Sequence, residues 1–266
     1  MLLTLCASSM RAQIKANGHG TLTMFDLPAF VIKQLHLHGL NIPASMLTGW
    51  SLDDLEKLRD RADKAACPCL VLLEDTPLPF AASDKQTRTM AVERVRKVAV
   101  AANRLGCNAI AVRCDAPDTS DAFDVVADQI KSFMPSVERL ELNVLISPWT
   151  GLTHATERLT ALIKRIGGFR IGSLPSFGSA AEVGKGDPTE SLRKLAPYAG
   201  AIHATVEGFS KKGVHKGYDL ASCVTAVRSV GFLNTLAIDY AGSDEPVVNI
   251  EMARDVLQQA INAAEA

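Results

Sequence analysis

The stretch AIHATVEGFSKKGVHKGYDLASCVTAVRSVGFLNTLAIDYAG, residues 201–242, reads as strand, loop, helix, glycine stop and second strand. Along AIHATVEG (201–208), His203, Thr205 and Glu207 share one face. Ile202, Ala204 and Val206 share the other, because successive strand side chains point to opposite sides. YDLASCVTAVRSVG (218–231) is the helix, and FLNTLAIDY (232–240) is a near-continuous apolar strand ending in Asp239. Strands of this kind belong to parallel sheets covered by helices.

The same unit recurs towards both ends. The strands before it are LLTLC (2–6), LNIPA (40–44), CLVLLED (69–75), CNAIAVRCD (107–115), ERLELNVLIS (138–147) and FRIGSLP (169–175). Helices are expected over 25–39, 51–66, 84–105, 120–134, 153–168, 189–200 and, after the last strand, 245–266. Ser51 with Asp54 makes a capping-box variant, and Gly39, Gly106 and Gly167-Gly168 act as stops. GSAAEVGKGDPTE (178–190) is expected to be a long loop. Eight strand–helix units in about 250 residues predict one domain over 1–266, a closed (β/α)₈ TIM barrel. An open doubly wound sheet would announce a glycine-rich turn after its first strand, and ASSMRAQ (7–13) has none.

The 266 residues are 47% hydrophobic and carry a net charge of −1, enough apolar material for one large core but no global field drawing nucleic acid or an acidic membrane. No run approaches the roughly 20 apolar residues of a membrane span. The apolar run of MLLTLCASSMRAQIK precedes its basic residues, the reverse of a secretory signal. Six cysteines in apolar runs read as buried, reduced thiols, and Cys67-Pro-Cys69 alone is no zinc knuckle. A soluble cytoplasmic protein is expected, with a small-molecule substrate and neither nucleic acid nor membrane as partner.

The order of elements, and residues 200–262 above all, resembles the xylose isomerase-like TIM barrels, the sugar-phosphate isomerase/epimerase group. There a strand with an H-x-H pattern leads through a loop and helix to a strand ending in I-E-Y. GWSLDDLEKLRDRADKA (49–65) is similar to the helix after the second strand in that group. The resemblance implies a homo-oligomer and one divalent ion, manganese, magnesium, zinc or cobalt. It implies four ligands: a Glu on the fifth strand, an Asp on the sixth, a His on the seventh and a Glu on the eighth. Those positions fall here on Ser147, on Pro175 or Ser176, on His203 with Thr205 in place of the second His, and on Asp239. Serine is a poor ligand for manganese or magnesium, so the expectation is a mouth without the family's metal centre and without a cofactor.

Active sites of such barrels lie at the carboxyl ends of the strands. His203 is the candidate general acid or base, with Asp239, Glu74 and Glu207 as further catalytic candidates. Arg113 either grips a substrate phosphate or carboxylate or pairs with Glu74. Trp149, in SPWTG, and Trp50 are rim aromatics, Trp149 the expected substrate contact. Lys211, Lys212, His215 and Lys216, in SKKGVHKG (210–217), would bind an anion from the loop after the seventh strand. His19 and Lys15 lie in the loop after the first strand, and His36 and His38 are given no role. A Glu74–His203–Asp239 cluster would move a proton beside a carbonyl, the step of a sugar isomerase or epimerase, with Arg113 or a loop lysine as the electrophile. The alternatives are a metal-independent lyase or dehydratase on a sugar-derived substrate, or a non-catalytic barrel that binds a ligand.

Overall fold

A computed structural model describes residues 1–14, 21–242 and 244–264. Eight parallel strands run in the order β6-β5-β4-β3-β2-β1-β8-β7: β1 Leu2–Cys6, β2 Leu40–Pro43, β3 Cys69–Leu78, β4 Ala109–Cys114, β5 Asn143–Ser147, β6 Ile171–Ser173, β7 Ala201–Val206 and β8 Thr235–Tyr240. The β6–β7 seam has no ladder. It is closed by single bridges, Ser173 to Ala199 and Ser176 to His203, with the His203 amide donating to the Pro175 carbonyl at 2.9 Å. The eight-unit TIM barrel predicted from the sequence is therefore the observed fold.

The helices cover the outside: α1 Leu27–Phe30 continuing as a π turn to Leu35, α2 Leu52–Lys64, α3 Lys85–Leu105, α4 Ser120–Glu138, α5 Thr156–Ile166, α6 Phe177–Val183, α7 Thr189–Leu195, α8 Leu220–Arg228 and α9 Pro246–Ala263. Local chemistry sets their ends. Ser51 and Asp54 form the expected capping box, Asp84 caps α3 through Gln86 and Thr87, and Gly106 ends α3 at φ 77°. Residues 178–190 depart from the expected loop, because α6 occupies their first part. Its cap is a serine pair, Ser176 with Ser179, that replaces the usual Ser/Glu box. Helix α5 also starts later than expected, since the Thr153 hydroxyl accepts the Trp149 amide at 3.1 Å and holds the β5 loop instead.

Two apolar layers follow from strand alternation. Leu5, Ile42, Leu72, Val112, Ile146, Ile202 and Ile238 are buried against the helices. A smaller cluster, Val71, Leu73, Ala109, Ala111, Leu145, Leu174 and Ala201, plugs the interior. Inward positions nearer the mouth become polar. No helix among the described residues is long and apolar enough to cross a membrane.

All six cysteines are free and buried. Burial pushes the thiols of Cys67, Cys69, Cys114 and Cys223 up to about 12 from an ordinary 9.0. Cys6 and Cys107 are also held well above 9.0, again chiefly by burial. The unfolded chain loses these protons near pH 9 and the folded chain does not. The stability they contribute is therefore complete below pH 9 and is lost as pH rises towards 12. The urea midpoint is expected to be flat from pH 7 to 8 and to fall steeply above 9. A flat curve to pH 10.5 would show the thiols are not excluded from water.

Candidate active site

Three neighbouring strands build one side of the mouth. In β7 the outward residues Ile202, Ala204 and Val206 pack on helices, which turns His203 inward, where it is 5% exposed. In β8 the outward Ile238 and Tyr240 leave Asp239 inward, level with Thr205 of β7. In β1, Leu3 and Leu5 face out, so Thr4 and Cys6 face in.

His203 Nδ1 lies 3.5 Å from Asp239 Oδ2, and its Nε2 lies 3.1 Å from Asn41 Nδ2 on β2. The Ser8 hydroxyl donates to Asp239 Oδ1 at 2.8 Å and lies 2.9 Å from Cys6 Sγ. Burial pushes the Asp239 carboxyl up, but hydrogen bonding and attraction to His203 and bonds from Ser8 and Cys6 outweigh it, holding it below the usual carboxylate value. Asp239 thus stays an anion at neutral pH. Its side chain is 28% exposed against 6% for His203, so the pair is reached from solvent through the carboxylate. Cys6, His203 and Asp239 each offer one ligand atom within 4.8 Å of the others. Buried Asn41 Oδ1 and Thr4 Oγ1 have no partner among the described residues.

The ring order sets β4 and β5 across the mouth from β8 and β1. There Arg113, level with Ser147, has its guanidinium carbon 4.9 Å from the Trp149 ring centroid. Its Nη1 donates to the Asp75 carbonyl at 3.1 Å, while its buried Nε has no partner among the described residues. Asp75 in turn accepts from the Ser45 amide and hydroxyl at 3.0 and 2.6 Å. Arg113 is therefore pre-positioned on an aromatic face with an N–H left over.

Several expected site residues lie elsewhere. Glu74 does not join His203. It is buried on the helix-facing side of β3 and paired with Arg94 of α3, so it is neither a mouth acid nor the partner of Arg113. Glu207 lies beyond the end of β7, exposed, with its carboxylate over Gly217. His215 is spent on structure: Nε2 accepts the Glu207 amide at 3.0 Å, and Nδ1 lies 2.8 Å from the Tyr218 carbonyl. The hairpin closed by the Phe209–His215 bridge rests its tip, which carries Lys211 and Lys212, beside Met252 of α9. Lys216, exposed, follows with its amide bonded to Gly208 and its amine beside that glycine, on the same side as Asn249. Trp50 stacks on Phe25 at 5.0 Å as rim packing. His19 and Lys15 lie outside the described residues. Sequence reasoning missed Cys6, Ser8 and Asn41. For Cys6 and Asn41 the signal was a thiol or amide on the inward register of β1 and β2 between apolar neighbours; Ser8, in the turn after β1, carried none.

A profile described as the xylose isomerase-like TIM barrel matches residues 32–265. The chain belongs to this family. No curated protein matches it in sequence. Among solved structures, this barrel is similar to an L-ribulose 3-epimerase (TM-score 0.82, 12% identity, covering 99% of this chain and 95% of that one). It is similar to the IOLI protein with a binding zinc atom (0.73, 12%, covering 99% and 98%). It is also similar to the probable 3-DHS dehydratase AsbF, involved in petrobactin synthesis, from Bacillus anthracis (0.73, 15%, covering 97% and 99%).

The four-ligand ion that the resemblance implies does not fit this barrel. By the resemblance two of the positions fall on Ser147 and on Pro175 or Ser176, and the Ser176 hydroxyl is engaged in capping α6. Thr205, at the second His of H-x-H, is covered by Gly178, where a Cβ would sit 3.2 Å from its Cγ2. Two ligands of four remain, one nitrogen and one short carboxylate, too few for an oxygen-seeking ion such as magnesium or manganese.

Proposed function

We propose that this barrel is a sugar isomerase or epimerase, moving a proton beside a carbonyl of a small sugar, keto-sugar or sugar phosphate at its C-terminal mouth. The observation that carries this reading is the buried His203–Asp239 pair, reached from solvent through Asp239 and facing Arg113 and Trp149 across the ring. His203 and Asp239 form the reacting pole, steadied by Asn41 and Ser8. Arg113 and Trp149 form the gripping pole: the guanidinium, held by the Asp75 carbonyl, donates to a substrate oxygen, and the indole offers a flat apolar face. In this reading Glu74, paired with Arg94, and His215, bonded to the Glu207 amide, take no part in the chemistry, and neither does the exposed Glu207 carboxylate; Lys211, Lys212 and Lys216 are assigned to neither pole. The family and the epimerases whose structures resemble this barrel support the substrate class. A dehydratase among the neighbours supports a second reading, in which the same carbon acid expels a neighbouring hydroxyl as water.

The test is product analysis after incubation with ketopentoses, ketohexoses and their phosphates. A new epimer or aldose is expected; an unsaturated product with loss of water would select the second reading, and no conversion across the panel would leave a binding barrel. In the same assay Arg113→Lys is expected to raise KM about 10- to 100-fold, because a hydrogen bond from a charged group is worth roughly 1.5–3 kcal/mol, with a smaller change in kcat. An unchanged KM would remove Arg113 from the gripping pole.

A further inference from the structure

We propose that a pocket on the outer wall of the barrel, between α2 and α3, binds a small apolar monocarboxylate. The site is separate from the mouth, and its binding does not rest on the function proposed above. The pocket encloses about 240 Å³. Sites for drug-sized ligands run to roughly 300–1,000 Å³, so the occupant is a short chain or a single ring. One wall is the 3₁₀ turn Ala44–Leu47 with Trp50 after it, and another is α3. The Trp50 amide donates to the Leu47 carbonyl at 3.1 Å, and Gly49 at φ 83° lets the chain fold back that tightly. Along α3, Arg94, Lys97, Val98 and Ala101 fall at i, i+3, i+4 and i+7, one face of the helix.

The lining has two parts. Leu47, Leu55, Leu72 and Val98 are buried core side chains that reach the pocket, so its floor is apolar. Arg94 and Lys97, both exposed, stand at the rim. Arg94 gives its Nε to Glu74, and the other N–H groups of its planar fork remain for a second acceptor. Glu74 already offsets the Arg94 charge, and Glu93, one turn before Lys97, pairs with Arg96. Lys97 has no acidic partner among the described residues, which leaves the rim with an uncompensated cation. An apolar floor under a cationic rim is complementary to an anion with an apolar body. A carboxylate is the headgroup that suits, because its two oxygens accept from the guanidinium fork and the ammonium together. Inorganic phosphate would leave the floor uncovered, and a neutral alcohol would leave the rim unmatched.

The experiment is titration of the full-length protein with sodium octanoate, read by Trp50 emission and by calorimetry. Trp149→Phe leaves Trp50 as the one tryptophan of the chain. A saturable blue shift is expected, with Kd at or below about 1 mM, because the octanoate chain displaces water beside the indole. Octanol, with the same chain and no charge, should bind at least about tenfold more weakly, since it forfeits the hydrogen bonds to charged groups. Lys97→Glu, a surface change that reverses the rim charge, should weaken octanoate about tenfold or more. Ala101→Leu, which fills the pocket from α3, should abolish the shift. Should Ala101→Leu fail to fold, Lys97→Glu alone decides. No saturable binding by either readout up to about 10 mM overturns the site. Octanol binding as tightly as octanoate overturns it too, because the cations would then take no part. Octanoate binding unchanged in either folded variant would place the anion elsewhere, at Arg113 for example, and is equally fatal.

Discussion

A His203→Gln protein is expected to fold normally and to lose about 10²- to 10⁴-fold in kcat, the range associated with a positioned acid–base group. The imidazole is 5% exposed and lies between Asn41 and Asp239, so nothing else in the barrel can occupy its place without rebuilding β7. Glutamine keeps a polar head of similar reach. Asn41 therefore retains a partner, and the cost in stability stays small compared with an alanine that would orphan a buried amide. The informative split is kcat against KM. Arg113 and Trp149 still bind the substrate, so KM should change less than tenfold while kcat collapses. Equal turnover by the wild-type and variant proteins, with matching circular dichroism, would remove His203 from the reacting pole.

Arg94→Ala is expected to destabilise the barrel by about 2–3 kcal/mol. Its partner Glu74 is buried on β3, with the Thr76 amide, at 3.2 Å, as its one further donor among the described residues. Removing one member of a buried pair leaves a charge without compensation and costs roughly 3–5 kcal/mol. The value here is set lower because the Arg94 side chain is 47% exposed and water reaches its end of the pair. For a chain of this size the loss corresponds to a fall in Tm of roughly 4–12 °C. Glu74→Gln placed in the Arg94→Ala background should recover part of it by neutralising the stranded carboxylate. A Tm within 1 °C of wild type for Arg94→Ala would mean that Glu74 is protonated or hydrated in the folded barrel.

The fold was legible because eight apolar strands alternate with amphipathic segments, several of them bounded by a cap or a glycine stop. Face assignments were legible only where a strand alternates. AIHATVEG alternates, and His203 was correctly turned inward. CLVLL (69–73) is apolar without alternation, so nothing before the two acids told Glu74 from Asp75. Glu74 was sent to the mouth when its partner lies on α3. The loop after β7 read as an anion site because three lysines and a histidine share it. Side-chain use is decided by the fold of the loop, and there His215 ties the Glu207 amide to the Tyr218 turn. Helix α6 was hidden by Gly178 and Gly184 and by a serine where a capping glutamate would have signalled it. Cys6 and Asn41 went unnoticed because a lone thiol or amide in an apolar strand carries meaning only once its register against His203 is known.

The most direct measurement is deuterium incorporation from D₂O into a converted ketose, followed by proton NMR. An isomerase or epimerase breaks and remakes a C–H bond beside the carbonyl. The signal of that one hydrogen should fade as product forms, and the fading should be abolished in His203→Gln. Product formed with full retention of protium would instead mean transfer shielded from solvent or by hydride shift. Exchange that continues unchanged in His203→Gln would place the chemistry away from the His203–Asp239 pair. Either result contradicts solvent-exchanging proton transfer at this mouth.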